Sequence, residues 1–542
     1  MSREPSALPP AARRPPSLVT PLLVGLDIGT TNVKAVVYEP DGRAVARATV
    51  PTVTHHPRPG WAFSAAEEIW EQAVDVLRTA LAGVDDPRRI AGIAVASMAE
   101  AGVPLDAAGE PTADVIAWFD TRPRAETAWL EAAIGGDAIF ATTGLSLQPI
   151  FGLCKMLWLK EHEPDAWRRT ERWLNVSDYV AYRLSGAAAT GASLASRTLA
   201  LDLRRRRWDG GILRAAGIAP DLLAPLVAEG TDLGAVTPEA SAATGLPTGA
   251  RVGVGGHDHL CGALAAGVTE PGTLLESLGT TDTMLLPVAA PMADPELGRQ
   301  GYSQGAHVVP GRYYVLGGQF TLGAAIDWFR RAIAPDEPYA ALIAAAATVP
   351  AGSDGVCFLP HLRLANPPYV DPASRGAFLG LTADVERPTL FRAVLEGLGF
   401  EARGILEPLL EFAGVGAPCS VSAIGGVTQN RLLMEIRASV RNRAASILDI
   451  DEATALGAAI LGGLACGVYR DVPTAIAALR YGRTPVEPIV ADVPVYDGIY
   501  HDVFARLYPL LALVNHAIGD RQAALNRSPS YPGEIGNGRR PS

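Results

Sequence analysis

Two short segments of the chain have the residue types that bind a phosphate. The first is 26–34, LDIGTTNVK, and the second is 277–283, SLGTTDT, so that Gly-Thr-Thr occurs twice. Apolar runs flank each copy, at 22–28 and 33–38 for the first and at 273–278 and 283–287 for the second. This pattern predicts two tight β-hairpins, each with a hydroxyl-rich tip.

Small residues at such tips allow backbone N–H groups and threonine hydroxyls to approach an anion closely. The candidate phosphate-binding residues are therefore Gly29, Thr30, Thr31, Gly279, Thr280 and Thr281. Ordinary turn chemistry explains either copy taken alone equally well. Two copies in similar strand contexts, however, indicate a duplicated domain with a ligand cleft between its halves.

Asp27 lies near the end of a strand that should otherwise be buried. An unpaired carboxylate there would cost several kcal/mol, and a cation or a magnesium-bound phosphate would offset that cost. The alternative is that Asp27 caps its own turn.

Asp258 follows the glycine-rich run 253–256 and precedes a helix of small residues. At the mouth of a helix a carboxylate can accept a proton from a substrate hydroxyl, which makes Asp258 a candidate general base. A helix N-cap is the alternative role, and the two are compatible. His257 and His259 flank it, and we expect them to point elsewhere and to form hydrogen bonds rather than bind a metal.

Residues 421–424 read as a strand that leads into Gly425-Gly426 and a helix beginning near Gln429. Such a turn admits a nucleotide beside the backbone, although strand, Gly-Gly and helix junctions are frequent. The sequence has neither a Gly-x-x-x-x-Gly-Lys-[Ser/Thr] loop nor a convincing Gly-x-Gly-x-x-Gly after a strand, which excludes the Walker and Rossmann interpretations.

Composition limits the possible partners. A chain of 542 residues is too long for one ordinary core, so two or more domains are expected. A net charge of -11 argues against nucleic acid and anionic membranes as partners.

The five cysteines show no Cys-x-x-Cys spacing and are expected to be reduced thiols. The longest uncharged apolar run, 453–469, is shorter than a membrane span and predicts a buried helix. We expect disordered tails at 1–20, which has prolines where a signal peptide is apolar, and at 516–542.

Taken in order, these motifs resemble the FGGY family of carbohydrate kinases, within the actin, Hsp70 and sugar-kinase superfamily, over about residues 21–515. Its xylulokinase-like members are the most similar. Further motifs that carry the resemblance are Pro59-Gly60-Trp61, Trp118-Phe119-Asp120-Thr121-Arg122, Ser177-Asp178-Tyr179 and Ser374-Arg375-Gly376. The resemblance implies an α/β fold of two duplicated ribonuclease-H-like (actin-type ATPase) domains around a central cleft. Residues 21–267 would bind mainly sugar, and residues 268–515 mainly nucleotide.

The resemblance also implies roles for single residues. Asp258 would be the catalytic base for the sugar hydroxyl that attacks the γ-phosphate of ATP. Asp27 and Asp258 would hold Mg²⁺, the tip threonines would contact phosphate oxygens, and Lys34 would reach the phosphates. Gly425, Gly426 and Asn430 would line the adenosine pocket.

Three residues are candidates for sugar binding. Counted back from Leu105-Asp106, Glu100 falls where xylulokinase-like members have His and glycerol-kinase-like members have Glu; it could instead pair with Arg122. Trp118 could stack on a sugar face or fill the core. Asp120 could bind substrate or form a structural pair with Arg122. The segment 364–369 also departs from the Gly-Glu-Arg triplet of many members, which affects the expected selectivity.

The expected activity is ATP-dependent phosphorylation of a small ketose, of the xylulose type, in preference to a polyol such as glycerol, a tetritol or a pentitol. A catalytically silent sugar or nucleotide sensor is the rival from another class. A chaperone-type ATPase is not favoured, since no substrate-binding module follows the second half. The expected partners are the sugar and ATP, with a possible homodimer, no nucleic acid and no membrane. The expected location is the cytoplasm.

Overall fold

The computed structural model describes residues 20–527. The predicted tail at 1–20 therefore lies outside the described residues except for Thr20, as does the part of the C-terminal tail after Arg527.

The first half of the chain alternates strands and helices. Its strands are β1 Leu22–Ile28, β2 Asn32–Tyr38, β3 Ala44–Pro51, β4 Phe63–Ser64, β5 Ile90–Ser97, β6 Gly102–Leu105, β7 Val115–Ile116, β8 Arg172–Asn175, β9 Thr190–Gly191, β10 Leu201–Asp202, β11 Arg207–Trp208, β12 Leu226–Val227, β13 Asp232–Ala235 and β14 Arg251–His257. Its helices are α1 Ala66–Leu81, α2 Arg124–Ala133, α3 Gly136–Thr143, α4 Gly152–His162, α5 Pro164–Arg169, α6 Val176–Ser185, α7 Ala192–Ala195, α8 Gly210–Ala216, α9 Pro238–Thr244 and α10 Asp258–Ala265.

The second half repeats the alternation with longer helices. Its strands are β15 Thr273–Leu278, β16 Asp282–Val288, β17 Ser303–Ala306, β18 Tyr313–Gln319, β19 Cys357–Leu359, β20 Ala377–Leu379, β21 Ser420–Ile424, β22 Ala445–Leu448 and β23 Arg483–Val486. Its helices are α11 Glu296–Arg299, α12 Leu322–Ala332, α13 Tyr339–Ala347, α14 Arg387–Phe412, α15 Arg431–Arg441, α16 Ala453–Ala465, α17 Val472–Ala478, α18 Val493–Ile499 and α19 Ala505–Arg527.

Each half is built around one large mixed sheet, and the two sheets share their topology. The first has the order β13-β14-β5-β1-β2-β3, and the second contains the order β23-β22-β21-β15-β16-β18 with β17 added beside β18. In both, an antiparallel meander is followed by two parallel strands and an antiparallel edge strand. The duplication predicted from the repeated Gly-Thr-Thr is therefore confirmed.

Local sequence explains these elements. The parallel strand β5 is apolar and almost wholly buried, as expected of a strand covered on both faces. Helix α1 buries Ile69, Trp70, Ala73 and Val76, which recur with helical spacing, against β2 and β3.

The apolar run at 453–469 forms helix α16, and the prediction of a buried helix is confirmed. Although it belongs to the second half of the chain, α16 packs on β1, β5 and β14 of the first sheet and on α10. A Cβ atom at Gly457 would lie 1.9 Å from the carbonyl oxygen of Cys261, so glycine is required for this close approach. The two halves thus meet across small-residue helices.

Helix α19 continues to Arg527, past residue 516, where the sequence placed the start of a disordered tail. That boundary was too early, because residues 516–527 extend a helix whose Tyr508 and His516 side chains bond Asp371. Within residues 20–527, no helix is both long and apolar enough to cross a membrane.

Candidate active site

The first Gly-Thr-Thr forms the tip of the β1–β2 hairpin. Ile28 pairs with Val33, and the Gly29 N–H donates to the Asn32 carbonyl at 3.0 Å, which closes the turn. Thr30 and Thr31 are exposed at the tip. The predicted hairpin is confirmed, and its exposed threonines are accessible to an anion.

The second Gly-Thr-Thr forms the tip of the β15–β16 hairpin in the same way. Leu278 pairs with Asp282, and the Gly279 N–H donates to the Thr281 carbonyl at 2.9 Å. Thr280 and Thr281 are exposed. The start of helix α12 lies against this tip, since the Gly323 N–H donates to the Gly279 carbonyl at 3.1 Å.

Asp258 is the first residue of α10, directly after β14. It lies one position inside the helix, so His257 takes the N-cap position in its place. Its Oδ1 accepts the His259 N–H at 2.6 Å and lies 3.1 Å from His257 Nε2. The prediction that both histidines point elsewhere is wrong: the His257 ring turns back onto the carboxylate, and a ring nitrogen of His259 lies within 4.8 Å of the ligand atoms of both Asp258 and His257. The Asp258 side chain remains 26 % exposed, at a helix start that favours negative charge.

Asp27 lies at the same edge of the first sheet. The parallel strands β1, β5 and β14 place Ile28, Ser97 and His257 in one row, so the residues around their carboxyl ends converge. Asp27 Oδ1 is buried and has no hydrogen-bond partner among the described residues. Burial, followed by the negative charge of Asp258, raises the pKa of Asp27 to about 8. A buried carboxylate beside a second negative charge fits a divalent cation, which would offset both effects on Asp27.

Lys34 lies on β2 opposite Asp27 in the hairpin register. Its Nζ donates to Glu452 Oε2 at 2.7 Å, in an ion pair that joins the two halves of the chain. The lysine is about a quarter exposed. Its positive charge lowers the pKa of Asp27, against the larger effects of burial and Asp258.

The Gly425-Gly426 turn follows β21, as predicted, but the helix begins later. A short 3-10 turn spans Gly426–Gln429, and α15 starts at Arg431 with Asn430 as its N-cap. Gly425 has φ 101°, and a Cβ there would lie 2.4 Å from the Leu278 carbonyl oxygen. A Cβ at Gly426 would meet no atom within 4 Å. The turn therefore packs tightly against the second hairpin on one side and is open on the other.

Two of the three candidate sugar-binding residues, Trp118 and Glu100, have atoms that are exposed or that accept no hydrogen bond from the described residues. Trp118 is 36 % exposed, and its indole N–H donates to Thr30 Oγ1 at 2.8 Å, which ties it to the first tip. Glu100 is 8 % exposed, and Arg197 Nε donates to its Oε1 at 2.6 Å. The alternative pairing of Glu100 with Arg122 is therefore wrong. Arg197 takes that place from a distant part of the chain.

Asp120 has no atom exposed to the cleft. It is fully buried, its Oδ2 accepts from Ala62 N–H at 2.6 Å and from the Arg122 guanidinium, and its Oδ1 accepts from Arg122 N–H. Despite burial, these bonds lower its pKa. The sugar-binding prediction for Asp120 is corrected here: it forms the structural pair with Arg122, because every face of the carboxylate is already satisfied.

Two residues of this region were not predicted from the sequence. Arg197 also donates to Ser303 Oγ, on β17 of the second half, at 2.6 Å. Lys155 is a fully buried lysine on α4 whose Nζ donates to backbone carbonyls beneath the sugar-binding candidates. A lone lysine within the apolar run 152–159 was the available signal for it.

The segment 364–369, which departs from the common family pattern, is anchored by Asn366. This side chain is fully buried, accepts from Phe320 N–H at 2.8 Å and donates to Glu401 Oε1 at 2.7 Å. Phe320 lies two residues before the start of α12, and α12 lies against the second tip. Segment 364–369 is therefore joined to the rest of the second half of the chain, the half expected to bind nucleotide, by the hydrogen bonds of Asn366.

Two hydroxyl-rich tips on sheets of the same topology, with Asp27 and Asp258 at one edge of the first sheet, define a phosphoryl-transferring enzyme of the actin and sugar-kinase fold. The family models for the N-terminal and C-terminal domains of the FGGY family of carbohydrate kinases match residues 22–265 and 274–466. The chain belongs to this family, as the resemblance implied.

Relatives with curated names agree. The chain is 28 % identical to the xylulose kinase of Bacillus subtilis, over 92 % of this chain and 98 % of the relative. It is 31 % identical to the glycerol kinase of Rhodospirillum rubrum, over 83 % and 91 %. A crystal structure of xylulose kinase from Rhodospirillum rubrum superposes with a TM-score of 0.83 and 33 % identity, over 91 % of this chain and all of the other.

Proposed function

We propose that this carbohydrate kinase transfers the γ-phosphoryl group of ATP to a hydroxyl of a small ketose, with a ketopentose such as xylulose as the first substrate to test. The observation that carries the proposal is the pair Asp27 and Asp258, held at one sheet edge next to the first Gly-Thr-Thr tip. The xylulose kinases among its relatives support the sugar class.

In the proposed reaction, Asp258 accepts the proton of the attacking hydroxyl. The sugar oxygen then bonds to the γ-phosphorus, the bond from that phosphorus to the bridging oxygen breaks, and ADP leaves. Asp27 and Asp258 would hold Mg²⁺, which supplies neutralisation of phosphate charge when bound. The tip hydroxyls and N–H groups would orient the phosphate oxygens, and Gly425, Gly426 and Asn430 would face the adenosine. Positioning and charge neutralisation account for most catalysis of this type.

The test is a coupled ADP-release assay with Mg·ATP against ketopentoses, ketohexoses, tetritols, pentitols and glycerol. Asp258→Asn keeps the shape of the side chain and should lower kcat by about 10²- to 10⁴-fold, the contribution of a positioned general base. Asp75→Asn, an exposed aspartate on α1, is the matched control and should retain full activity. If the wild type phosphorylates nothing but still binds sugar or ATP, the protein is a sensor and the proposal fails.

A polyol substrate is the second candidate, and Glu100 favours it. Arg197 engages only one oxygen of this carboxylate by hydrogen bonding, and a carboxylate oxygen can accept from a hydroxyl. A glycerol kinase is also among the relatives. Comparing kcat/KM for xylulose and glycerol separates the two. The homodimer and the cytoplasmic location stay predictions, and light scattering would test the first.

A further inference from the structure

Lys155 makes an unusual set of contacts. The side chain is fully buried on α4, and its Nζ lies 2.7 Å from the Glu100 carbonyl oxygen and 2.8 Å from that of Ala117. The carbonyl oxygens of Ile116 and Trp118 lie further away, both at 3.4 Å. One ammonium group thus gathers backbone oxygens from two segments.

These two segments follow β5 and β7 and carry Glu100 and Trp118, the two proposed sugar contacts. Sixteen residues lie between Glu100 and Ala117, and the Lys155 ammonium is an atom to which both of their carbonyls bond. Trp118 in turn donates to Thr30 at the first Gly-Thr-Thr tip. A displacement of the Lys155 ammonium would therefore move both Glu100 and Trp118, the two proposed sugar contacts.

The backbone of Glu100 supports the same conclusion. Its φ is 63°, in the left-handed region that a residue with a long side chain rarely adopts. Such a conformation is strained and persists only where the surroundings hold it. Lys155 holds the carbonyl of Glu100, and Arg197 holds its carboxylate from the other side.

We propose that Lys155 is a positioning residue that sets the distance between Glu100 and Trp118 and so determines how tightly the sugar binds. The inference rests on the proposed function, in which these two residues contact the sugar. Lys155 touches neither sugar nor ATP. Its main effect is on the sugar contacts, because its carbonyl partners lie in the two segments that carry Glu100 and Trp118. The bond from Trp118 to Thr30 makes any effect on ATP indirect and smaller.

Stability alone does not explain a lysine at this place. A buried ammonium pays a large desolvation cost, and an apolar side chain of similar length would avoid it. Burial lowers the pKa of Lys155 to about 7. The ionisable groups that face it, the Glu100 and Asp120 carboxylates and the Cys154 thiol, act in the opposite direction, and Arg122 adds to the lowering. Lys155 provides hydrogen bonds to the backbone carbonyls, which an apolar side chain could not form.

The test is Lys155→Met, which keeps most of the side-chain length and removes every donor. Loss of charged hydrogen bonds that orient two contacts should raise KM for the sugar about 10- to 100-fold, with KM for ATP within twofold of the wild type. Lys160→Met is the matched control. This lysine lies on the same helix and also donates to backbone carbonyls, but to those of Ala216 and Gly217 at the end of α8. It should leave both KM values unchanged.

A purely structural role would lower thermal stability and affect both substrates alike, and that result overturns the inference, as does an unchanged KM for the sugar. If Lys155→Met does not fold, Lys155→Gln retains two N–H donors without the charge and should show a smaller rise in KM for the sugar. Sugar binding followed by intrinsic tryptophan fluorescence, without ATP, gives a second readout. A wild type that binds sugar but transfers no phosphate refutes the proposed function, whereas an active wild type with an unaffected Lys155→Met refutes only this inference.

Discussion

Replacing Arg437 by methionine should destabilise the second half of the molecule and weaken ATP binding. Arg437 lies on α15 and is fully buried, as are its partners Glu276 on β15 and Asp282 on β16. Its Nη2 lies 2.7 Å from Glu276 Oε1 and 2.7 Å from Asp282 Oδ2. Asp282 directly follows Thr281, so this cluster connects the second Gly-Thr-Thr tip to the helix that begins beside Asn430.

Replacing Arg437 would leave Glu276 with another ion-pair partner but would remove the partner of Asp282. Glu276 retains Arg441 as a second partner, whereas Arg437 is the guanidinium that bonds Asp282 within the described residues. Burial already raises the pKa of Asp282 to about 6 although Arg437 opposes it. Without Arg437 this carboxyl should be neutral at pH 7. Removing one partner of a buried ion pair costs about 3–5 kcal/mol, which corresponds to a fall in Tm of roughly 6–20 °C for a domain of this size.

Thermal unfolding of three variants measures this. Arg437→Met should show the full loss, and Arg437→Met combined with Asp282→Asn should recover about 1–3 kcal/mol, because the buried carboxyl has been removed. Arg431→Met is the control on the same helix, since Arg431 forms an exposed pair with Glu435 and should change stability by less than about 1 kcal/mol. KM for ATP should rise in Arg437→Met, with KM for the sugar unaffected.

Two results would refute the reasoning. A loss below about 1 kcal/mol in Arg437→Met would mean that the pair does not repay its desolvation cost. A double variant no more stable than the single one would mean that Asp282 is not the group left unsatisfied.

Two further predictions follow from the site. Gly425→Ala should lower stability and raise KM for ATP, since its Cβ would lie 2.4 Å from the Leu278 carbonyl oxygen at a positive φ, whereas Gly426→Ala, which meets no atom within 4 Å, should fold as the wild type does. Equal Tm values for the two variants would contradict this. Asp27 has a folded pKa of about 8, above its ordinary value of 3.8, so its contribution to stability is complete below about pH 4 and is lost as pH rises through 8. Metal-free Asp27→Asn should therefore lose less Tm than the wild type between pH 5 and pH 8 in EDTA, and an identical slope would contradict the assignment.

Much of the fold was predictable because its signals are local. The Gly-Thr-Thr tips lie between runs of apolar residues that form strands wherever they are buried, and both hairpins occur within one residue of the predicted bounds. The second half of the site was located less well. Helix α15 begins at Arg431 rather than near Gln429, because a 3-10 turn intervenes, and such terminal turns leave little trace in hydrophobic periodicity.

Pairing between distant residues was not predictable. The sequence suggested Arg122 as a salt-bridge partner of Glu100, but Arg197, 97 residues away, takes that place, and Arg122 pairs with Asp120. Which of several arginines reaches a carboxylate depends on how helices pack, and packing is decided by the whole core.

The sequence by itself determined the duplicated hairpins, the two aspartates and the family, since each is recognised from residues that are neighbours along the chain. Only the tertiary structure decided that Lys155 gathers the backbone beneath Glu100 and Trp118, that Asp120 is sealed beneath the site, and that α16 crosses to the first sheet. These features depend on the free-energy cost of burying a polar group without a hydrogen-bond partner. Whether a group finds a partner is decided only when segments that are distant in the sequence pack together.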